Sequence, residues 1–580
     1  MHDLVIRHGR VVDGTGAPAQ EADVAIDGDR ISAIGSVNGS EIGPGRREID
    51  ARDRLVTPGW VDIHTHYDGQ ATWDPYLSPT GWNGVTTVVM GNCGVGFAPA
   101  PPDRHAWLIQ LMEGVEDIPG TALAAGIDWQ WESFPEYLDA LERFPRALDI
   151  GAQVPHGAVR AYVMGERGAR NEKATPEEIQ AMATIVKESI QAGALGFSTS
   201  RTIVHRAKDG ELVPGTLAGD DEILGIGAAL GEAGAGVFEV ASDFAPEGAE
   251  VGMERTELAW MRELSKRTGR PVTFACLQND FQPEQWRRLI EFAAADAAEG
   301  GSVTPQVAPR PAGLLLGLES SLHPFVAYEA YQTLAGLPLR ERVARMRLPE
   351  IRDAILSHPP EGLPPVLNMI LNAFHKVFRL GDPPDYEPAP EASAAAIAAR
   401  EGRAPAAVVY DWLLENDGKE LLYFPFLGYA HGDFEALREM MLHPQAVFGL
   451  SDGGAHCGLI ADASNPTFLL THWVRDRTRG ARLPLEFVVR AQTRNTAALY
   501  GLHDRGVIAP GMKADLNVID FDALQIRRPR MVFDLPAQGR RLVQDIEGYD
   551  ATICSGQVTY ENGKATGALP GKLVRGPQRA

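Results

Sequence analysis

The sequence predicts an α/β protein: a (β/α)8 barrel with a small β-sandwich domain built from both termini and a helical insertion between strands seven and eight. Three observations predict this fold. Apolar strand-like runs alternate with helical stretches through the middle of the chain, which is typical of βα units around a parallel sheet. Eight such runs can be counted, the number that closes a barrel. Both ends of the chain contain short strands separated by turns instead.

The composition is that of a large globular protein. The chain has 580 residues, of which 44% are hydrophobic, and this is ample for an extended core. Its formal net charge is −23, which argues against binding to nucleic acid or to an anionic membrane surface, because both need basic patches. We interpret the charge as a contribution to solubility. No apolar run reaches the length of a membrane span, so no membrane partner is expected.

The two ends of the chain are expected to form one domain. Strand-like runs near the start lie at residues 4–7, 10–13, 23–26 and 30–35. Runs of the same character near the end lie at residues 514–520, 551–554 and 558–560. Turn pairs such as Asp27-Gly28 separate them, as in paired β-strands. We therefore assign residues 1–57 together with residues 505–580 to the small β-sandwich domain.

Residues 58–504 are assigned to the barrel. Its strands are predicted near residues 60–66, 85–91, 148–154, 194–199, 236–242, 271–277, 302–308 and 446–452. One connecting helix is well marked, because Thr175 offers an N-cap, Pro176 the first helical position and Glu178 the third. Apolar residues of the helix core then recur at Ile179, Met182, Val186 and Ile190. The gap before the last strand is too long for a plain connection, so residues 320–440 are predicted to form an inserted helical subdomain or lid.

Cysteine usage and the start of the chain favour a cytoplasmic location. Four cysteines are widely spaced and form no CxxC pair: Cys93, Cys276, Cys457 and Cys554. A disulfide framework is not expected in so long a chain with so few cysteines, which suits a reducing compartment. The first residues, from Met1 to Arg7, contain neither an apolar segment nor a small-residue cleavage site, so we predict no signal peptide.

Two histidines close the first predicted strand. Alternate side chains of a strand point to the same face, so His64 and His66 point together while Thr65 points away. Two neighbouring imidazoles can hold a metal ion from one side. The alternative is a chance pair of surface histidines, and only the surrounding sequence decides between the two.

Two other strand ends carry further candidate ligands. In a (β/α)8 barrel the active site lies at the carboxyl ends of the strands. Cys93 comes just after the second strand, and Asp452 just after the eighth. Glycines follow both residues, which allows the backbone to approach a ligand closely.

These motifs resemble the amidohydrolase superfamily and, within it, the N-acyl-D-amino-acid deacylases (D-aminoacylases). The resemblance covers nearly the whole chain. Its specific parts are residues 4–16, 58–66, 84–94 and 504–516. It implies a zinc site held by His64, His66 and Asp452, with Cys93 as a further ligand.

The chain departs from this family at two strand ends. The family usually has a metal-binding histidine after the fifth strand and another after the sixth. Residues 236–243 and 271–279 contain none. We therefore expect one zinc ion rather than two, held by His64, His66 and Asp452. Cys93 is either a ligand or a buried small hydrophobic residue.

Three residues are candidates for substrate binding. Arg201 follows the fourth strand and could hold a carboxylate by a bidentate contact, and the alternative is an ordinary loop arginine. His156 follows the third strand, and His205 lies beyond Arg201. His431 and His456 could supply a missing ligand, but each histidine taken alone fits a structural or surface role.

The resemblance implies hydrolysis of an amide bond in a small-molecule substrate, with Asp452 taking a proton from water and delivering it to the leaving nitrogen. The products would be a carboxylic acid and an amine, most simply a D-amino acid. A second hypothesis keeps the metal but changes the substrate to a cyclic amide, a small peptide or another carbonyl compound. A third is a barrel that has lost catalysis and binds a metabolite. Retention of three convergent ligands argues against the third. A homo-oligomer is compatible with the sequence, which does not define acyl group, amino acid or chirality.

Overall fold

A computed structural model describes residues 1–36, 41–244, 252 and 254–579. Its centre is a sheet of eight parallel strands that follow one another around a barrel in chain order. These strands are Trp60–Thr65, Val85–Met90, Asp149–Pro155, Gly196–Arg201, Val237–Ser242, Val272–Ala275, Val303–Val307 and Val447–Phe448. All eight predicted strands are thus confirmed, and the fold is the (β/α)8 barrel.

The barrel closes between its first and last strands, near the carboxyl ends. The His66 amide donates to the Gly453 carbonyl at 2.8 Å, and the Asp452 amide donates to the His64 carbonyl at 3.1 Å. Outward-facing Val61 and Ile63 pack in one cluster with Val89 and Val447 of neighbouring strands and with Leu502. The alternation predicted for the first strand therefore holds: apolar side chains point outward, and the histidines are left at the barrel mouth.

Helices connect the strands on the outside of the barrel. Those before the insertion are His105–Glu116, Gly120–Gly126, Phe134–Arg143, His156–Met164, Glu166–Ala169, Pro176–Ala192, Asp220–Ala233, Glu254–Thr268 and Gln285–Ala298. Those after the eighth strand are Asn465–Phe468, Leu469–Asp476, Leu485–Arg490, Ala491–Asn495 and Thr496–Leu499, of which the second and fourth are π-helical. Short 3-10 turns occur at Gln70–Thr72, Thr80–Asn83, Pro102–Arg104, Phe374–Lys376, Pro390–Ala392, Glu415–Gly418, Asp462–Ser464 and Pro536–Gln538.

The helix predicted after Thr175 is confirmed together with its cap. The Thr175 hydroxyl accepts from the Glu178 amide at 3.2 Å, and the Glu178 carboxylate accepts from the Thr175 amide at 2.8 Å. Met182, Val186 and Ile190 are buried, as their spacing predicts. Local sequence therefore determines where this helix begins and which face it buries.

The insertion between the seventh and eighth strands has a hydrophobic core of its own. Its helices are Glu329–Gln332, Leu339–Met346, Pro349–Ser357, Pro365–Asn372, Ala394–Glu401 and Pro405–Leu413, and Glu435–Leu442 leads into the eighth strand. It also contains an antiparallel sheet that the sequence analysis did not predict, formed by Ala312–Leu316, Leu422–Leu427 and Phe378–Arg379. Pro425 interrupts the central strand of this sheet, and prolines argue against such an assignment from sequence.

Both termini contribute to one nine-stranded sheet. In spatial order its strands are Lys564–Ala565, Gln557–Glu561, Tyr549–Cys554, Leu516–Ile519, Leu55–Pro58, His2–Val11, Gln20–Asp27 and Arg30–Ser36, with Gly45–Asp50 beside His2–Val11. The N-terminal and C-terminal parts join where Leu55–Pro58 pairs antiparallel with Leu516–Ile519. The domain boundaries at residues 57 and 505 stay a prediction.

Two smaller two-stranded sheets lie within the C-terminal part of the chain. Gln525–Ile526 pairs with Ile546–Glu547, and Arg530–Leu535 pairs with Gly539–Val543. We call residues 530–543, which include the second pair, the C-terminal hairpin. Within the described part of the chain, no helix combines the length and the apolar character that crossing a bilayer requires.

Candidate metal centre at the barrel mouth

His64 and His66 lie side by side at the end of the first strand, as predicted. Both are 2% exposed, and their ring centroids are 5.5 Å apart. The Nδ1 atom of His64 is 3.1 Å from Oε1 of Gln306, on the seventh strand. Because an amide oxygen can only accept, this contact places the ring hydrogen on Nδ1 and leaves the Nε2 lone pair free. Gln306 thus orients His64 as a ligand through Nε2.

Cys93 faces the same point from the end of the second strand. Its Sγ atom is 3.4 Å from Nε2 of His64. The donor atoms of His64, His66 and Cys93 all lie within 4.8 Å of one another, so a single ion could contact all three. Cys93 has a positive φ of 56°, and its amide is held by Glu239 at 2.9 Å. The structure therefore brings Cys93 into the site.

Asp452 completes the cluster from the loop after the eighth strand. Its Oδ1 atom is 3.3 Å from Nε2 of His64 and 3.7 Å from Nε2 of His66. Burial opposes ionisation, but His66, His64 and His456 hold the pKa of this carboxyl well below its usual range. The Asp452 side chain is 22% exposed, whereas those of both histidines are almost fully buried. Asp452 is thus the member of the cluster that faces the opening.

Two buried carboxylates that the sequence analysis missed border this cluster. Glu239, in the fifth strand, has Oε1 4.0 Å from Nδ1 of His64, and burial raises its pKa to about 8. Glu116 ends a helix, with Oε1 3.3 Å from Nδ1 of His66. Neither of these two oxygens has a hydrogen-bond partner. Glu239 could have been recognised in the sequence as a single acidic residue within an apolar strand. No feature of the sequence marks Glu116 as part of the site.

The donor set fits a cation. Burial lowers the pKa of His66, but the carboxylates of Glu116 and Asp452 outweigh it and raise that pKa to about 9. The site thus concentrates negative charge around two histidines. A divalent ion would compensate this charge, and thiolate, imidazole and carboxylate ligands together suit zinc.

The ends of the fifth and sixth strands contribute no histidine, as the sequence indicates. Cys276, at the end of the sixth strand, is buried with Sγ 3.9 Å from Sδ of Met440, and burial raises its pKa to about 12. Gln278 accepts from the Ala430 amide at 3.0 Å. These side chains hold the surrounding structure together and take no part in the cluster.

Two of the three predicted substrate-binding residues have other partners. His156 is fully buried, with Nδ1 2.9 Å from the Thr199 hydroxyl and Nε2 3.0 Å from Glu222. Arg201 makes a bidentate contact of 2.7 Å with Glu257. Both ring nitrogens of His156 thus have protein partners, and the Glu257 carboxylate occupies the side of the Arg201 guanidinium formed by Nε and Nη2.

His205 is the candidate that stays close to the metal cluster. Its Nδ1 atom is 3.1 Å from the Ser200 hydroxyl. Ser200 lies against the loop of Cys93, because a Cβ at Gly94 would be 2.7 Å from the Ser200 amide nitrogen. Burial, with the nearby His456 and His66, lowers the pKa of His205 to about 3, so the ring is neutral.

The other two histidines considered as ligands lie apart from this arrangement. His456 reaches its rim, with Nε2 3.6 Å from Oε2 of Glu116. His431 contacts the exposed Glu284 at 2.8 Å instead. Neither belongs to the cluster of donor atoms around His64.

Comparisons of sequence place the chain among known proteins. A family model described as "Amidohydrolase family" matches residues 47–560. A D-aminoacylase of Alcaligenes xylosoxydans xylosoxydans is 35% identical over 197 residues, which are 34% of this chain and 37% of that one. An N-acyl-D-aspartate deacylase of the same organism is 33% identical over 234 residues, 40% of this chain and 42% of that one. The matched stretch therefore spans less than half the length of these relatives.

Solved structures show the same fold. A D-aminoacylase described as having a binuclear metal centre, with one-metal activation and second-metal attenuation, has a TM-score of 0.64 and 24% identity, covering 99% of this chain and 100% of that one. An N-acyl-D-glutamate deacylase from Bordetella bronchiseptica, complexed with zinc and a phosphonate inhibitor, has a TM-score of 0.63 and 22% identity, covering 99% of each chain. At these identities the likeness establishes the architecture alone.

Proposed function

The chain belongs to the amidohydrolase family, and from this premise we propose that it is a zinc-dependent hydrolase that cleaves N-acyl-D-amino acids into a carboxylic acid and a D-amino acid. The observation that carries the proposal is the cluster of His64, His66 and Cys93 donor atoms at the barrel mouth, with Oδ1 of Asp452 3.3 and 3.7 Å from the two histidines. Relatives named as D-aminoacylase and N-acyl-D-aspartate deacylase support the choice of substrate.

Four side chains would hold the zinc: His64, His66, Cys93 and Asp452. When bound, zinc acts as a Lewis acid that activates water and polarises a carbonyl group. We propose one ion rather than two. In its support, the described residues contain one group of three donors placed to share an ion, and the fifth and sixth strands end without histidines. Glu116 would balance its charge from behind the ligands.

Asp452 is proposed as the general base and acid. Its carboxylate is kept ionised by its histidine neighbours and is the most exposed member of the cluster. It can therefore take a proton from the attacking water at Oδ1 and deliver it to the leaving amide nitrogen. Without that second transfer the nitrogen would leave as a strongly basic anion, which is unfavourable near neutral pH.

His205 is proposed to bind the substrate. If the Ser200 hydroxyl donates to Nδ1, the neutral ring carries its hydrogen on Nε2 and offers it to a carbonyl oxygen. His156 and Arg201 are proposed to support the substrate site without contacting the substrate. His156 contacts Glu222, and Arg201 contacts Glu257. Both would position the loop that carries His205.

A small-molecule substrate and a cytoplasmic location complete the proposal. The four cysteines are all free and buried, which suits a reducing compartment.

The test combines metal analysis with a panel of N-acyl-D-amino acids, their L-enantiomers and a cyclic amide. We expect about one zinc per chain and hydrolysis of the D-compounds. Asp452→Asn should lower kcat by about 10²- to 10⁴-fold, the range for loss of a general acid–base group. Asp476→Asn, at an exposed position, is the matched control. Hydrolysis of the cyclic amide alone would show that the proposed substrate class is wrong. Full activity of Asp452→Asn would refute the proposed mechanism.

A further inference from the structure

The C-terminal hairpin packs against the loop that carries Asp452. The Leu542 amide donates to the Cys457 carbonyl at 2.6 Å. The neighbouring Arg541 donates from Nη1 to the Ser78 carbonyl at 2.5 Å. The chain thus returns from its terminal domain to form one wall of the barrel mouth, more than 90 residues after the eighth strand.

Arg541 is buried at this wall and keeps part of its hydrogen-bonding capacity. Its side chain is 9% exposed. Nε and Nη2 donate to Asp534 of the paired strand at 2.7 and 2.8 Å, and Nη1 donates to Ser78. A guanidinium has five N–H groups. Within the described part of the chain, one N–H on Nη1 and one on Nη2 are left without a protein partner.

Arg541 and Asp452 line the same narrow cleft. Gln70, Gly454 and Asp462 also line it, and of the described lining residues Arg541 is the one cation. The cleft has a volume of about 20 Å³, enough for one water molecule. It therefore suits the end of a small polar group and excludes an acyl chain.

Two other arginines near the mouth are paired with carboxylates, and neither is among the residues that line this cleft. Arg310 is buried against Asp462, with Nε and Nη2 at 2.9 and 2.6 Å from one oxygen, and it also donates to the Ala461 carbonyl. Arg201 is held by Glu257. Arg541 is thus the guanidinium that combines burial, free N–H groups and a shared cavity with the general base.

We propose that Arg541 binds the carboxylate of the substrate and so selects amides that bear an acidic group next to the scissile nitrogen. In an N-acyl amino acid only the α-carbon separates the carboxylate from that nitrogen. Asp452 and Arg541 line one narrow cleft, so a substrate whose carboxylate lies this near its amide nitrogen can face both residues. The planar fork of arginine recognises a carboxylate with two parallel hydrogen bonds. This inference rests on the proposed function and adds the residue that sets its substrate class.

The experiment compares N-acetyl-D-leucine with N-acetyl-D-leucinamide, which lacks the charge. Wild-type protein should prefer the carboxylate. Arg541→Ala should raise KM for N-acetyl-D-leucine by about 10- to 100-fold, as expected for lost charge-assisted hydrogen bonds, while KM for the amide changes little. The KM of Arg541→Lys for N-acetyl-D-leucine should lie between those of the wild type and Arg541→Ala, since lysine keeps the charge but cannot form two parallel hydrogen bonds. Equal effects on both compounds, or no effect, would overturn the proposal.

Two further measurements are needed. The first distinguishes a loss of substrate recognition from a folding defect, and the second tests the role of Arg541 independently of the proposed reaction. Arg540→Ala is the matched control, because Arg540 contacts the Glu319 carbonyl and the Ser321 hydroxyl outside the cleft. Binding of N-acetyl-D-leucine to Asp452→Asn, measured by calorimetry, should weaken when Arg541→Ala is added. If wild-type protein hydrolyses neither compound, the proposed function fails, but this binding comparison still decides the role of Arg541. Unchanged binding in the double variant would refute it.

Discussion

Cys93 differs from the other cysteines of the chain in what its sulfur contacts. Its Sγ atom faces Nε2 of His64, whereas that of Cys276 packs against Met440 and that of Cys457 contacts the Gly454 carbonyl. All are buried, so burial alone does not distinguish them. The sequence left Cys93 open between a ligand and a small hydrophobic residue. Its position in the structure supports the role of a ligand.

Substitution of Cys93 should therefore weaken metal binding. Cys93→Ala is expected to lower zinc affinity by at least about tenfold, since loss of even an indirect partner of a ligand costs that much. The measurement is zinc retained during dialysis against a chelator. Cys276→Ala, which removes an equally buried thiol, should keep its zinc. Equal retention in the two variants would contradict a ligand role for Cys93.

At the residue scale, the sequence revealed those site residues that sit at strand ends. His64, His66 and Asp452 were predictable because barrel topology brings strand ends together. Glu116 and Arg541 were not, because they reach the site from a helix end and from a distant hairpin. Only tertiary packing brings these two residues to the site, and no local sequence pattern predicts that packing.

At the scale of elements, a buried ion cluster fastens the insertion to the barrel. Glu387 lies in the insertion, between Phe378–Arg379 and Ala394–Glu401. Its carboxylate accepts from Arg477 at 2.9 and 3.0 Å, contacts His472 at 3.0 Å and accepts from the Phe434 amide at 3.0 Å. Burial opposes its ionisation, but His472 and Arg477 outweigh it and lower its pKa from 4.5 to about 2.

This pKa shift predicts how stability depends on pH. A carboxyl group with a depressed pKa stabilises the fold above its unfolded value of 4.5, and this contribution is lost as the pH falls towards 2. Glu387→Gln should destabilise the protein at pH 7 by up to about 3–5 kcal/mol, because among the described residues it leaves Glu435 as the one acidic partner of the buried Arg477. The difference from wild type should shrink between pH 4.5 and 2.

Urea unfolding at several pH values measures this difference. Glu391→Gln, at an exposed position of the same insertion, should match wild type throughout. If the difference in free energy of unfolding between Glu387→Gln and wild type stays constant down to pH 2, ionisation of Glu387 does not contribute to stability.

The sequence predicted barrel elements better than those of the insertion. Barrel strands are fully buried apolar runs, and a helix such as Pro176–Ala192 carries its own cap. The sheet inside the insertion depends on pairing between Ala312–Leu316 and Leu422–Leu427, which are more than 100 residues apart. Such long-range pairing leaves little trace in local composition, and Pro425 hides it further.

At the scale of the whole molecule, buried charges join the barrel to the C-terminal part of the chain. Asp149, at the start of the third barrel strand, contacts Arg505 at 2.7 Å and Lys513 at 3.1 Å. It also accepts from the Lys572 amide at 2.8 Å. Lys513 and Arg505 lower its pKa to about 2 against the effect of burial. The similar texture of the two termini predicted a shared sheet, but it did not predict this connection.

Asp149→Asn should therefore destabilise both parts together. The substitution leaves two buried cations with one acidic partner fewer, which costs about 3–5 kcal/mol. Arg505 keeps Asp504 and Lys513 keeps Asp515, so the value should lie towards the lower end of that range.

The measurement is the urea midpoint at pH 7, together with zinc loss and proteolysis within residues 505–579. Asp139→Asn removes an exposed partner of Arg575 and serves as the control. If Asp149 joins the two parts, zinc loss and proteolysis should shift to lower urea in parallel. A shift in proteolysis without one in zinc retention would show that the barrel mouth is stable without this connection.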